Sequence, residues 1–420
     1  MHATTLRFWL WGLTLALCGL GMVMVASTTT IRGAELGLNY RAMSIQGMAF
    51  VVGLIVAVVI SLCGMRVLRN GYLIAMATVA VATSLVVLPY IATPINGAYR
   101  WINLGPFNIQ PAELAKVVMV LAAAWHLVRL QERVRVHWDG VLLPLAGFGV
   151  VAFLVYRTQD LGSVVVMGLV LWAMMFFART RWLYFTVLGL ASLPMVAYVT
   201  VFSQGYRRDR MLAFRDPWTA DGPAAYHLQQ SELSIGSGGV FGVGLGQGAS
   251  KQGFLPEFHT DFVYAIICEE LGMLGGVAVA GAFLLLVLVG LSIANRSEDR
   301  YARLVAIGAT VLLGFQAFWN MLVVTGAVPT KGLTLPFISY GGTSLVVSMA
   351  LIGMLDAAAR TIPVTAPGRS LSSTRIGAIV VQRDRPTAAQ RLRRITTDPV
   401  SRAWHRLTGS HQRREGGRSP

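Results

Sequence analysis

Ten apolar runs of about spanning length punctuate the chain, at residues 8–26, 45–63, 72–90, 112–130, 141–156, 161–178, 183–202, 265–293, 304–325 and 343–358. Runs of this length and composition predict membrane-spanning helices. Every second connector is basic: Arg66 and Arg69; Arg129, Arg133 and Arg135; Arg179 and Arg181; Arg296, Arg300 and Arg303. The positive-inside bias puts these connectors and both termini on the cytoplasmic side. The pattern predicts an all-α polytopic membrane protein of about ten transmembrane helices. A large extracytoplasmic loop, residues 203–260, lies between helices 7 and 8.

Composition agrees. Of 420 residues, 55% are hydrophobic and 13% charged, and the mean hydropathy is +0.61, so a soluble fold would have nowhere to put the apolar surface. The first run, from Phe8 to Ala26, lacks a small-residue cleavage site and is expected to stay as a signal anchor. Cys18, Cys63 and Cys268 lie in or beside apolar runs, which points to packing rather than to a disulfide framework. Net charge is +16, and from Arg360 onward thirteen arginines face Asp384, Asp398 and Glu415, so 13 minus 3 places about +10 in the tail. We therefore divide the chain into a membrane domain, 1–358, and a disordered basic cytoplasmic tail, 359–420. The tail is expected to be drawn to anionic lipid headgroups, not to nucleic acid.

Candidate chemistry lies in the outward connectors. The stretch LPEFHTDFVYAIICEELGMLG, residues 255–275, sets Glu257, His259, Asp261, Glu269 and Glu270 beside a long apolar run. A carboxylate near hydrocarbon costs several kcal/mol unless paired, so it raises a functional hypothesis. Asp261 is the candidate, whereas Glu257 fits a solvated loop before a helix start. The connector with NGAYRWINLGPFNIQP carries Arg100 and leads into PAELAK, where Glu113 and Lys116 share a helical face as a structural ion pair or as a substrate contact. In RTQDLGS, Asp160 fits an N-cap. The segment YRRDRMLAFRDPW places Arg207, Arg208, Arg210 and Arg215 in an amphipathic element. These arginines would meet lipid headgroups or an anionic ligand such as a diphosphate. The glycines of 236–248 allow tight turns but match neither a Walker loop nor a dinucleotide fingerprint. GAVPTKGLTLPFISYGGTS, with Lys331, reads as a re-entrant or cavity-lining segment. The three lysines of the chain, Lys116, Lys251 and Lys331, all fall in these segments.

In this order, NGAYRWINLG, QPAELAK, DLGS, RDPW, GSGGVFGVGLGQG, LPEFHTDFVYAIICEELG and PTKGLTLPFISYGG resemble the SEDS family (shape, elongation, division and sporulation proteins) over residues 10–358. PTKGLTLPFISYGG is similar to the division, FtsW-type branch. Thr158 and Gln159, His227 and Glu232 depart from the family pattern. The resemblance implies a peptidoglycan glycosyltransferase that polymerises lipid II into β-1,4 glycan strands at the outer face of the cytoplasmic membrane, at the division septum, releasing undecaprenyl diphosphate. It puts the catalytic acid on Asp261 and family motif positions on Arg100, Glu113 and Lys116. In such chemistry Asp261 acts as general base. Arg100, Lys116, Arg210, Lys251 and Lys331 are the cations available to the leaving diphosphate, and Glu113 holds Lys116. Inversion at the sugar carbon requires no covalent intermediate. No His or Cys metal-ligand spacing is present, so no cofactor is expected, although a diphosphate can bring Mg²⁺ with it. Expected partners are lipid II, a class B penicillin-binding transpeptidase and other divisome membrane proteins. The alternatives are a lipid II flippase and a non-catalytic divisome scaffold. Against the flippase, the motif charges gather at the outer face and no inverted repeat is evident.

Overall fold

The computed structural model describes residues 2–363 apart from 35–38, 94–97, 106, 182, 185, 188, 191–205, 221, 253–254, 256–258 and 331. A compact unit spans Met1–Thr365; a second unit, Ala366–Pro420, lies outside the described residues, as does the expected basic tail beyond residue 363. In chain order the elements are α1 (Ala3–Ala34), α2 (Asn39–Leu68), α3 (Gly71–Ile91), β1 (Ile102–Leu104), β2 (Phe107–Ile109), α4 (Pro111–Arg129), α5 (Gln131–Val136) and α6 (Trp138–Arg157). There follow α7 (Leu161–Phe177), α8 (Tyr206–Arg215), α9 (Pro223–Gly238), α10 (Val263–Arg296), α11 (Arg300–Val324) and α12 (Gly342–Ala359). Stretches of α1, α2, α3, α4, α6, α10, α11 and α12 are long and apolar enough to cross a membrane, and α7 is a shorter apolar helix. These nine correspond to nine of the ten predicted runs. Most of the tenth, 183–202, lies outside the described residues.

Local chemistry sets the helix starts. Asn70, Asp160 and Asp299 accept from backbone N–H groups one turn into α3, α7 and α11, and Pro111 opens α4, where its missing N–H costs nothing. The bundle is ordered from the middle outward. Buried positions make up 83% of the most apolar stretch of α12 and 72% of that of α11, against 22% for α3. Exposed positions on the outer helices are themselves apolar, among them Val51, Ile55 and Leu62 of α2 and Met76 and Val79 of α3. A surface of that kind has hydrocarbon as its solvent. Between helices, small residues let backbones close up: a Cβ at Gly353 of α12 would lie 2.5 Å from the carbonyl of Ala57 in α2.

Two devices fix the ends of the bundle. At the basic end, the buried Asp356 of α12 accepts from Arg7 of α1 at 2.6 and 3.2 Å, from Ser61 of α2 and from Arg360 at 3.3 Å. At the other end α10 kinks at Gly272, whose φ of 72° is open to glycine. The chain after α9 packs into that kink: Val243 and Gly244 N–H donate to the carbonyls of Glu269 and Glu270 at 3.0 Å, and Met273 N–H donates to Gly239 at 2.9 Å.

Candidate active site

Between α11 and α12 the chain turns back into the bundle. Leu333, Leu335, Phe337, Ile338 and Ser339 are buried, Phe337 stacks on Phe283 of α10 at 6.4 Å, and a side chain at Gly21 of α1 would run into the Phe337 carbonyl. Phe337 has a φ of 66°, uncommon for a bulky residue. Irregular backbone at this depth has to be satisfied by protein, and several side chains do it. Gln46 of α2 donates to Ser339 O and accepts from Gly341 N–H, both at 3.3 Å. Ser339 Oγ accepts from Leu335 N–H at 2.8 Å and donates to Thr260 O at 2.5 Å. Tyr340 N–H donates to His259 O at 2.9 Å. This is the re-entrant segment the sequence predicts, and it is tied to the turn that carries Asp261.

Asp261 sits in that turn, immediately before α10, half-buried. Its carboxylate lies against Gly332, where a Cβ would be 2.5 Å from Oδ2. Asn320 of α11 donates to Asp261 O at 2.8 Å and to Leu333 O at 2.6 Å. Arg210 of α8 donates to Thr330 O at 2.9 Å. From the opposite side, Gly162 of α7 meets the Leu333 side chain. Asp160, as predicted, caps α7 through Ser163 N–H at 3.0 Å, and it also accepts from Gln110 Nε2 at 3.1 Å. Arg100 donates to Gln159 O at 2.7 Å, while its Nε–H is buried and has no partner among the described residues. Thr330, Gly332 and Leu333 are thus bordered by Arg210, Asp261 and the turn that carries Asp160 and accepts from Arg100. Lys331 belongs to that stretch by sequence; it and Glu257 lie outside the described residues, as do the side chains of Arg207 and Arg208. Glu113 and Lys116 pair at 2.5 Å in the opening turns of α4, with the lysine wholly enclosed. Just before them, Gln110 N–H donates to Thr343 Oγ1 at 3.3 Å.

Lys251, expected among the cations facing the diphosphate, is placed elsewhere. Its ammonium donates to Glu270 Oε1 at 2.7 Å and to Ser27 Oγ and O at 3.1 and 3.3 Å, and neither charged side chain has any exposure. All three of its donors are thereby occupied. The glycine run has a role to match. Gly246 N–H donates to Glu270 Oε2 at 3.1 Å, and Ala249 and Ser250 N–H donate to Glu269 Oε1 at 2.7 and 3.1 Å. Backbone donors that could hold a phosphate hold the protein's own carboxylates.

Outside the spans, burial raises the Tyr340 phenol above its ordinary value against the opposing guanidinium of Arg41, and the ring lies 5.8 Å from that of His259. Hydrogen bonds from the Thr219 side chain and from Trp218 and Thr219 N–H lower Asp216. Among the described residues, no three His, Cys, Asp or Glu side chains converge as a metal ion would need. Three residues of the site were not singled out from sequence: Gln110, Asn320 and Gly332. Asn320 carried a usable signal, an amide inside an apolar span; Gly332 carried none.

Residues 8–362 match the FtsW/RodA/SpoVE family, described as cell cycle protein. A probable peptidoglycan glycosyltransferase FtsW of Geobacter sulfurreducens is 43% identical over 271 residues, covering 64% of this chain and 72% of that one. The like-named protein of Saccharophagus degradans is 37% identical over 83% of this chain and 91% of its own. Among solved structures, a chain described under structural coordination of polymerization and crosslinking by a peptidoglycan synthase complex superposes with a TM-score of 0.70 at 29% identity, covering 84% of this chain and 96% of that one. The rod shape determining protein RodA of Thermus thermophilus gives 0.62 at 28% identity, with the same two coverages.

Proposed function

The chain belongs to the FtsW/RodA/SpoVE family of cell cycle proteins, and from that premise we propose how it works as a peptidoglycan glycosyltransferase of cell division. It polymerises lipid II into β-1,4 glycan strands at the outer face of the cytoplasmic membrane, at the septum, and releases undecaprenyl diphosphate. The observation that carries this is Asp261, a half-buried carboxylate set against a re-entrant segment that is bordered by Arg210 and by the turn before α7, to which Arg100 donates. A sugar hydroxyl is a poor nucleophile, and a carboxylate that takes its proton as the bond forms supplies general base catalysis. The departing diphosphate gathers negative charge, which cations fixed in a water-poor site stabilise; Arg100, Arg210, Lys116 and Lys331 fill that role. Glu113 keeps Lys116 in place. Attack on an α-linked donor inverts the sugar carbon, with no intermediate on the protein. A divalent cation such as Mg²⁺ would arrive with the diphosphate, not as a resident.

Both termini lie in the cytoplasm, as the basic connectors require. A class B penicillin-binding transpeptidase is the working partner, which is supported by the likeness to a chain of a synthase complex. Transport of lipid II would need a polar path between the faces. Instead Glu113 with Lys116, Lys251 with Glu270 and Arg7 with Asp356 are closed into pairs, and the buried Glu269 is held by the backbone N–H groups of Ala249 and Ser250.

The test is incubation of the purified protein with labelled lipid II, with and without the transpeptidase partner. Polymer that a muramidase digests is expected from the wild type and none from Asp261→Asn at unchanged membrane insertion. Long strands from Asp261→Asn would remove the base assignment.

A further inference from the structure

We infer that Asn320 and Gly332 form the seat of the Asp261 carboxylate: Asn320 fixes its main chain from behind, and Gly332 makes room for it in front. The inference rests on the glycosyltransferase reading above and adds two positioning residues to it.

Asn320 lies in the apolar helix α11 and is 1% exposed. A buried amide in such a helix needs partners, and its two N–H donors go to two segments distant in sequence, the Asp261 carbonyl and the Leu333 carbonyl. Because both partners are acceptors, the amide cannot be turned over, so its orientation is set. Its Oδ1 is left buried and, among the described residues, without a hydrogen-bond partner. An unsatisfied acceptor weakens the fold, so glue between helices does not account for this residue. One amide that spans both walls of the site fixes their spacing, and that does account for it.

Gly332 answers from the other wall. Its φ lies outside the left-handed region, so the backbone does not call for glycine. The missing side chain is explained by what fills its place. An alanine Cβ would lie 2.5 Å from Asp261 Oδ2 and 3.4 Å from Cγ, and the oxygen would have to retreat by about 1 Å to regain ordinary contact. Gly341, nine residues on in the same segment, offers a control: a Cβ there meets nothing nearer than 3.7 Å.

The experiment uses the full-length protein as wild type, Gly332→Ala, Asn320→Ala, the double variant and Gly341→Ala. Each is assayed with labelled lipid II and the transpeptidase partner. Each is also treated with a carbodiimide, with mass-spectrometric reading of modification at Asp261. A carboxylate displaced by about 1 Å is expected to lower turnover about 10²-fold. We expect that loss in Gly332→Ala with KM within about threefold of wild type, a loss that uniform weakening of substrate binding would not give. Asn320→Ala is expected to lose about tenfold, and the double variant less than the product of the two, since both act on one group. Gly341→Ala is expected to match wild type. Carbodiimide modification of Asp261 should rise severalfold in Gly332→Ala and not in Gly341→Ala. Wild-type turnover in Gly332→Ala, or a change confined to KM, overturns the seat. If the wild type makes no polymer, the glycosyltransferase reading fails, and the seat is judged by modification alone: equal modification of Asp261 in Gly332→Ala and wild type overturns it, and a severalfold rise sustains it.

Discussion

Among the described residues two lysine–glutamate pairs are enclosed in this bundle, and they are completed to different degrees. Lys251 has Glu270, Ser27 Oγ and Ser27 O for its three donors, while Glu270 also takes Ser27 Oγ at 2.8 Å and Gly246 N–H at 3.1 Å. Every strong position on both ions is taken, and neither is exposed. Lys116 is as deeply enclosed, yet among the described residues Glu113 is the one hydrogen-bond partner of its ammonium, and the Glu113 side chain keeps 8% exposure. A saturated pair is a fixture. An unsaturated one keeps donors for something else, and this one opens α4 just after Gln110, which bonds Asp160 and Thr343 at the border of the re-entrant segment. Burial alone therefore does not separate a structural ion pair from a working one; the count of unfilled donors does.

That distinction is open to breakage. The largest stability effect belongs to Lys251→Met, which leaves Glu270 charged and without its cation in the interior and is expected to cost about 3–5 kcal/mol. It is read as a fall in the thermal midpoint of the detergent-solubilised protein. Lys251→Met with Glu270→Gln removes both charges and is expected to regain most of the stability and, per folded molecule, the wild-type rate of polymerisation. Glu113→Gln with Lys116→Met is expected to regain stability in the same way but to stay at least about 10²-fold down in turnover, the usual size for loss of a fixed stabilising donor. If both double variants were active, or both inactive, the two pairs would be alike and the contrast would vanish. Ser27→Ala sharpens the saturated side. It takes one hydroxyl from two buried ions and is expected to cost about 1–3 kcal/mol, with turnover unchanged.

These roles were unequally legible in the chain. The spans could be read because lipid demands long apolar runs, and the turn before α7 could be read because a cap is local chemistry: Asp160 and its acceptor contact with Ser163 N–H are three residues apart. The re-entrant segment also announced itself, through prolines and glycines that neither span nor helix would keep. Lys251 misled because its partners are distant, Glu270 at 19 residues and Ser27 at 224, and a lone lysine after a glycine run looks like an anion site until the anions turn out to be Glu269 and Glu270. Gly332 was unreadable for a stronger reason. Its meaning is a volume, and the group that fills it belongs to a residue 71 positions earlier.

The smallest effect falls on Asp160, which stands between the two classes. It is a helix cap by its bonds to Ser163 and a site neighbour by its bond to Gln110 and by the Leu333 side chain over Gly162. Asparagine caps a helix about as well as aspartate, whereas alanine forfeits about 1 kcal/mol. Asp160→Ala should therefore lower the thermal midpoint by a few degrees, and Asp160→Asn should hold it. If the carboxylate is only a cap, Asp160→Asn also keeps turnover within about twofold of wild type, a change of under 0.5 kcal/mol in the barrier. A larger loss in Asp160→Asn at an unmoved midpoint would mean that the negative charge itself matters, beside the diphosphate's cations or beside Asp261. Asp160 would then join Lys116 among the groups whose bonding within the protein leaves their chemistry unfinished.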